Sequence, residues 1–450
     1  MATRIIRMLL GALLAGGMGI AACGAQETGA PTEPAPTAAA PATEIAAAPA
    51  LIENALGPVP ADNPRTEAYA HGGYVLFFVG VLWDLVVLLV IIMTGFGAWM
   101  QELAERITKR VNLMVAAYVV LFTIVTSLAS FPLAIYAQFL REKKYGFMNQ
   151  TFGAWLGDQG KGLLLAIVFQ AIFLPLLYIV IRRLGRAWWI PGAVLTVAFI
   201  VLLEAIVPVY IAPLFNKFTP LKDAALKKEI LDLAHSQGIP AHEVYEVDAS
   251  RQSEHNNAYV AGVLGTQRIV LYDTLMKRFT PREIRFVMGH EMGHYVMNHV
   301  WKTVGFFSVL IVAGFLLVDR MARRFIDRHS VYGIRRFEDP SSLPVILMIL
   351  SVFFLVTRPM ISTFSRSQEH AADVFGLQVV GDPEAAASGF LKFGRYDLAE
   401  IDVDPRIEFF LYTHPSVGNR ILFAQQWARA HPAAVPAPAP ASPAIPAAGS

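Results

Sequence analysis

The residues best suited to chemistry lie in one run, Thr280-Pro281-Arg282-Glu283-Ile284-Arg285-Phe286-Val287-Met288-Gly289-His290-Glu291-Met292-Gly293-His294. Thr280 and Glu283 have the spacing of a capping box with proline at the first helical position, so a helix is predicted to start there. On that helix His290 and His294 project from one face about one turn apart. Two imidazoles so placed can bind one Zn²⁺ at about 2.0–2.1 Å each. Glu291 lies about 100° further round, near enough to reach a water on the metal without being a ligand itself. This H-E-x-x-H pattern is the signature of zinc metalloproteases, with the glutamate as general base.

A catalytic zinc takes three protein ligands and keeps one position open. Cys23 is the only cysteine, so the third ligand must be a histidine or a carboxylate. The best candidate segment is Phe364-Ser365-Arg366-Ser367-Gln368-Glu369-His370-Ala371-Ala372-Asp373. Glu369 and Asp373 share a helix face at four-residue spacing, so one can ligate while the other orients a ligating histidine. His370 competes as a ligand but points about 100° away from Glu369.

The elements that carry these groups sit in an apolar chain of 450 residues. Hydrophobic residues make up 55% and charged residues 16%, against about 45–50% and about 25% for an average globular protein. A fully soluble cytosolic protein is thereby excluded. A net charge of +2 gives no reason to expect nucleic acid as a partner. Six apolar stretches, at about 73–99, 112–139, 161–182, 187–214, 302–318 and 343–361, are near or above the ~20 residues that cross a bilayer. The fifth is the shortest. Asp84 and Glu204 fall inside these stretches, where a charge needs an interhelical hydrogen bond or a water-filled cavity.

Five regions follow. Residues 1–22 are signal-like, with Arg4 and Arg7 ahead of a short apolar run ending in Ile20-Ala21-Ala22-Cys23, a lipobox-like sequence that predicts an acylated Cys23, an uncleaved signal anchor being the alternative. Residues 23–70 read as an Ala/Pro-rich linker, 71–215 as an N-terminal membrane domain of four helices, and 216–430 as a zinc metalloprotease domain with two further membrane helices. Residues 431–450 are a second Ala/Pro-rich tail.

With these motifs in view, the chain resembles the CAAX prenyl protease 1 family, integral-membrane zinc metalloproteases of the gluzincin type, over roughly residues 70 to 425. Further matching segments are Ile211 to Leu221, Asn257-Ala258-Tyr259, Arg268 to Leu275, Asn298-His299 and Thr413-His414-Pro415. The resemblance implies a mostly α, polytopic helical membrane protein with a zincin-like α+β catalytic part carrying a small β-hairpin or sheet. It implies one zinc per chain on His290, His294 and Glu369, with Glu291 as base. Asp373 would hold a ligand from behind or donate a proton, and His414 would help hold substrate or the oxyanion. Asn257, Ala258 and Tyr259 would bind substrate, Asn257 to Val260 and Gln267 to Tyr272 reading as two short strands whose edge could hold an extended peptide. Packing within the sheet is the alternative for Tyr259. The family has seven membrane helices around a large chamber, whereas this chain offers six and the signal-like segment.

The implied activity is a membrane-embedded endopeptidase acting on peptides or proteins, lipid-modified ones among them. A general quality-control protease for membrane proteins and a catalytically silent membrane scaffold are the alternatives. The oligomeric state is open. The connections after the first helix, between the third and fourth, and between the fifth and sixth hold three, three and six Lys and Arg. The other short loop holds four. The richer side is predicted to be cytoplasmic, which puts the catalytic part on the periplasmic face of a bacterial inner membrane.

Overall fold

The structure, a computed structural model, describes residues 51–52, 54–262, 267–328 and 332–432. The signal-like segment and Cys23 lie outside the described residues, and the lipoprotein expectation falls there with them. Helix α1, Pro64–Met93, starts where Asn63 accepts from the Arg65 and Thr66 amides and Pro64 takes the first helical position. It stops at Thr94-Gly95, Gly95 having a φ of 69° that suits glycine. The expected stretch 73–99 therefore runs across a break, and a short helix, α2 (Phe96–Ile107), follows. Helix α3, Val111–Ala134, continues through a π-turn, Ile135–Leu140, to Lys144. Helix α4 is Phe152–Leu184, and α5, Trp189–Ile206, runs on through a second π-turn to Leu214. Each π-turn follows a proline or contains one, Pro132 and Pro208, whose missing N–H breaks the regular ladder.

The next segment folds into strands β1 (Phe218–Pro220), β2 (Val244–Val247), β3 (Ala258–Ala261) and β4 (Arg268–Tyr272), with α6 (Ala224–Ser236) between the first two. Spatial order is β1-β2-β4-β3, with β2 parallel to β4 and the outer pairs antiparallel. Among the described residues strand β3 is thus an edge. Helices α7 (Asp273–Arg278) and α8 (Pro281–Val296) follow, and α8 opens with the expected capping box of Thr280 and Glu283. Ala258, Ile269 and Leu271 on one sheet face join Ile230, Leu275, Met288 and Met292 in a core beneath α8.

Helix α9, His299–Arg328, returns as a membrane-length helix much longer than the stretch 302–318. The sixth expected span departs most. Helix α10, Leu343–Val356, ends at Thr357, and α11, Arg358–Val380, leaves at 55° with Pro359 in its first turn. Among the described residues five helical segments are long and apolar enough to cross a membrane, six if this bent pair counts as one. Helices α12 (Pro383–Tyr396), α13 (Pro405–Leu411) and α14 (Val417–Ala430) complete the chain. Packed structure is also found ahead of the expected linker end at residue 70. Ala55, Leu56 and Val59 form a strap packed with Phe286, Leu377, Phe390 and Ile421, because these few apolar groups find a buried face.

The bundle has two chemically distinct ends. At one, Trp188 Nε1 donates to Asp319 Oδ1 at 2.9 Å, Arg323 donates to Gly185 O at 3.0 Å and Ser341 N donates to Gln101 Oε1 at 3.2 Å. These bonds gather the three connections rich in Lys and Arg. At the other, Arg65 of α1 donates to Tyr145 O beyond α3 at 2.7 Å, and Asn149 Nδ2 donates to Ser250 O at 2.7 Å, the second bond joining the membrane helices to the sheet-bearing segment. Inside the bundle Asp84 meets Ser130 Oγ at 3.4 Å, an interhelical contact, and Glu204 is buried with Oε1 lacking a hydrogen-bond partner among the described residues.

His255 ties the two parts together. Its ring stacks on Phe147 with centroids 4.0 Å apart, and its nitrogens lie 3.0 Å from Glu142 and 3.3 Å from Asp397. Burial opposes the charged imidazole, but Asp397 and Glu142 outweigh it and push the pKa up to about 9. A raised folded-state pKa gives stability that is complete below the unfolded value of about 6.5 and is lost as pH rises through the folded one. His255→Asn should therefore melt below wild type at pH 6–7, with the gap closing by about pH 10. A gap independent of pH would show that the ring packs without serving as the cation.

Candidate metal centre

Helices α8 and α11 cross closely because small residues line their contact. A Cβ on Gly289 would come within 2.8 Å of Val380 Cγ2, one on Gly293 within 3.3 Å of Ala372 Cα, and one on Gly376 within 3.0 Å of His290 N. Glycines at 289, 293 and 376 thus let the backbones approach until short side chains meet across the seam. The capping box anchors α8 from below. Glu283 is buried, accepts from Ser388 Oγ at 2.5 Å, and pairs with Lys392 Nζ at 2.7 Å on α12. The start of α8 is therefore fixed by an ion pair that would cost several kcal/mol to break on one side.

Across the seam, His290 Nε2 and His294 Nε2 are 3.2 Å apart, and Glu369 Oε2 is 3.3 Å from the first and 3.7 Å from the second. Donors at about 2.0–2.2 Å from one tetrahedral ion sit about 3.3–3.6 Å from each other. The triangle fits a metal. Glu369 is buried, and its Oε2 has no hydrogen-bond partner among the described residues, as expected of an oxygen kept for an ion.

Groups behind the triangle hold its rings. Asp373 Oδ1 lies 2.8 Å from His290 Nδ1, leaving Nε2 as the face toward the metal position. Arg420 on α14 clamps Asp373 with Nε to Oδ2 at 2.9 Å and a terminal nitrogen to Oδ1 at 2.6 Å. His299 Nδ1 lies 2.9 Å from His294 Nδ1, placed there by the sharp turn at Asn298, whose φ of 57° is left-handed. Asp373→Asn, which keeps the shape but not the charge, should weaken metal affinity about 10–100-fold in a chelator competition. Unchanged affinity would mean that Asp373 does not orient the ligand.

His414 Nε2 stands 3.4 Å from Glu369 Oε1, held by a scaffold on α11. Arg366 donates to Glu408 O and Tyr412 O at 2.6 Å each, Arg358 to Leu411 O at 3.0 Å and Ser362 to Phe410 O at 3.1 Å. Three residues at four-residue intervals thus grip the end of α13 that leads into His414. His370 is exposed on the other side, 4.6 Å from the Phe423 ring centroid, and takes no part.

Glu291 and Glu369 line a cleft of about 40 Å³ with His294, Thr303, Gln368 and, from the sheet edge, Val260 and Gly262. That is room for very few waters. Asn257 precedes β3 and Ala258 begins it, whereas the Tyr259 side chain packs on the opposite sheet face with Val247, Ala249 and Val270. Sequence reasoning assigned no role to Arg420, His299, Arg366 or the glycine seam. The repeat of Gly289-His290 and Gly293-His294 opposite Ala372 and Gly376 carried a signal for the seam, while Arg420 stood in no local pattern.

Comparison with known proteins gives consistent matches. The profile of peptidase family M48 matches residues 220–428, and that of the CAAX prenyl protease N-terminal region, five membrane helices, matches residues 61–217. The second match spans α1 to α5, of which α2 is too short to cross a membrane. The uncharacterized metalloprotease YhfN of Bacillus subtilis is 32% identical over 82% of this chain and 86% of its own. CAAX prenyl protease 1 of Saccharomyces cerevisiae is 31% identical over 67% of this chain and 70% of its own. The crystal structure of Ste24p from S. mikatae superposes with a TM-score of 0.68 at 27% identity, covering 75% of this chain and 82% of that one.

Proposed function

Since the chain belongs to peptidase family M48 and is a multi-pass membrane metalloprotease like CAAX prenyl protease 1, we propose that it is a zinc endopeptidase cutting peptides held along β3. The observation that carries this is the convergence of His290, His294 and Glu369, two of which line one cleft with Glu291 beside a strand that is an edge of the sheet among the described residues. His290, His294 and Glu369 would hold Zn²⁺, which would supply an acidified water with a pKa towards about 7 and a Lewis acid for the scissile carbonyl. Glu291 takes a proton from the attacking water as the carbon–oxygen bond forms. It returns the proton to the amide nitrogen as the carbon–nitrogen bond breaks. His414 donates to the carbonyl oxygen as charge builds there. Asp373, clamped by Arg420, positions His290 rather than giving up a proton. Asn257, Ala258 and Tyr259 act through the main chain that starts the edge, with Val260 and Gly262 nearest the reacting bond.

We further propose a substrate of the CAAX type, with a lipid-modified cysteine near the cut, since the yeast relative carries that name. The test is cleavage of one peptide with and without an S-farnesyl group on its cysteine, with Glu291→Gln as the blank. Strong preference for the farnesylated form supports the reading, and equal cleavage turns it to general quality control. The catalytic part is proposed to face the periplasm of a bacterial inner membrane. In support, the basic connections gather at the bundle end away from it. A tag after Ser450 should be cut by protease in spheroplasts without detergent. Protection there, with cleavage of a tag in the loop between α9 and α10, would invert the orientation.

A further inference from the structure

A second and larger pocket lies apart from the metal centre. It has a volume of about 650 Å³ and is walled by Lys161 of α4, by Val209 and Pro213 to Phe215 beyond α5, and by Lys217, Tyr245, Arg251 and Arg268 of the sheet-bearing segment. Four of its lining residues are basic and one, Asp248, is acidic. Asp158 lies behind the wall and reaches Lys161 at 2.9 Å and Arg251 at 3.7 Å. Arg251 and Arg268 otherwise donate to backbone carbonyls, of Phe215 and Pro208, which leave their charge in place. The Lys217 ammonium has no partner among the described residues, while its backbone N–H donates to Asp248 at 2.6 Å. The pocket therefore keeps a net positive charge.

Its position supplies the second observation. Lys161 opens an outward stripe on α4 that continues as Leu164, Val168, Ile172 and Leu176, all exposed and all apolar. Leu202, Tyr210 and Leu214 are exposed on the neighbouring chain as it runs toward the same pocket. From Lys161 to Leu176 the helix rises about 22 Å, more than the ~15 Å of one leaflet's hydrocarbon. A cationic cup with an apolar track below it is the shape of an amphiphile.

We propose that this pocket binds the phosphate headgroup of an anionic phospholipid, with the acyl chains lying along the α4 stripe. The bound lipid joins the membrane helices to the sheet through Lys161 on one side and Lys217 and Arg268 on the other. The test uses the full chain in detergent with phosphatidylglycerol or phosphatidylcholine, bound lipid being read by native mass spectrometry and stability by the thermal midpoint. Wild type should retain phosphatidylglycerol selectively and melt higher with it. Lys217→Glu, which removes a side chain with no partner among the described residues, should weaken that binding at least about fivefold and melt like wild type in phosphatidylcholine. Lys161→Gln with Arg268→Gln should likewise lower the ratio of phosphatidylglycerol to phosphatidylcholine retained. Equal retention of phosphatidylcholine, or unchanged selectivity in both variants, overturns the proposal. Displacement of the lipid by millimolar inorganic phosphate would overturn the lipid as occupant and leave a soluble-anion site.

Discussion

Glu291→Gln is expected to keep its metal and lose peptide hydrolysis by about 10²–10⁴-fold. The amide matches the carboxylate in size, so α8 and its glycine seam should be undisturbed. Glu291 is not among the three converging donors, and it faces the cleft where water and peptide would meet. What the change removes is a group able to accept a proton. Turnover of a fluorogenic peptide and metal content on the same preparation settle the matter together. Near-normal turnover would require another base, and loss of metal would make Glu291 a ligand.

Glu369→Ala should show the opposite separation, losing metal and activity together. Wild type is expected to hold about one zinc per chain on three protein donors. Removing the carboxylate leaves two imidazoles 3.2 Å apart and no anionic ligand to balance the ion. After dialysis against a weak chelator, metal content should fall toward zero in the variant and remain in wild type. The stabilisation that excess zinc confers on the wild-type thermal midpoint should vanish as well, since it scales with the ratio of free metal to dissociation constant. Full retention of zinc would remove Glu369 from the ligand set and redirect attention to His414, which lies 3.4 Å from it.

Local chemistry was the most legible part of this sequence. The capping box at Thr280 and Glu283 and the i, i+4 spacing of the histidines depend on a single helix, and both appear in α8 with that geometry. Membrane stretches were legible from composition, but their limits were not. The break at Gly95 and the bend at Thr357 arise from one backbone conformation and one proline, which a window average smooths away. Strands β3 and β4 lay close together in sequence and could be read. The parallel pairing of β2 with β4 spans an intervening strand and leaves no periodic trace. Arg420 reaches Asp373 from 47 positions away, and nothing near it in the chain announces the partner.

The strap at Ala55 to Val59 has a consequence for how the chain is assembled. Its partners on α14 lie far downstream, Gln425 donating to Ala55 O and Gly57 O across 370 and 368 positions. At about 5–20 residues per second, ribosomes need on the order of 20–70 s to make that much chain. The strap cannot complete its contacts until every intervening membrane helix has been made. A chain released before α14 leaves Ala55, Leu56 and Val59 without Ile421 and Ala424, and exposes Phe286 and Leu377 on α8 and α11. Closure of this contact thus couples a segment near the start of the described chain to one near its end, so that only a chain translated through α14 can seal the rear of α8 and α11.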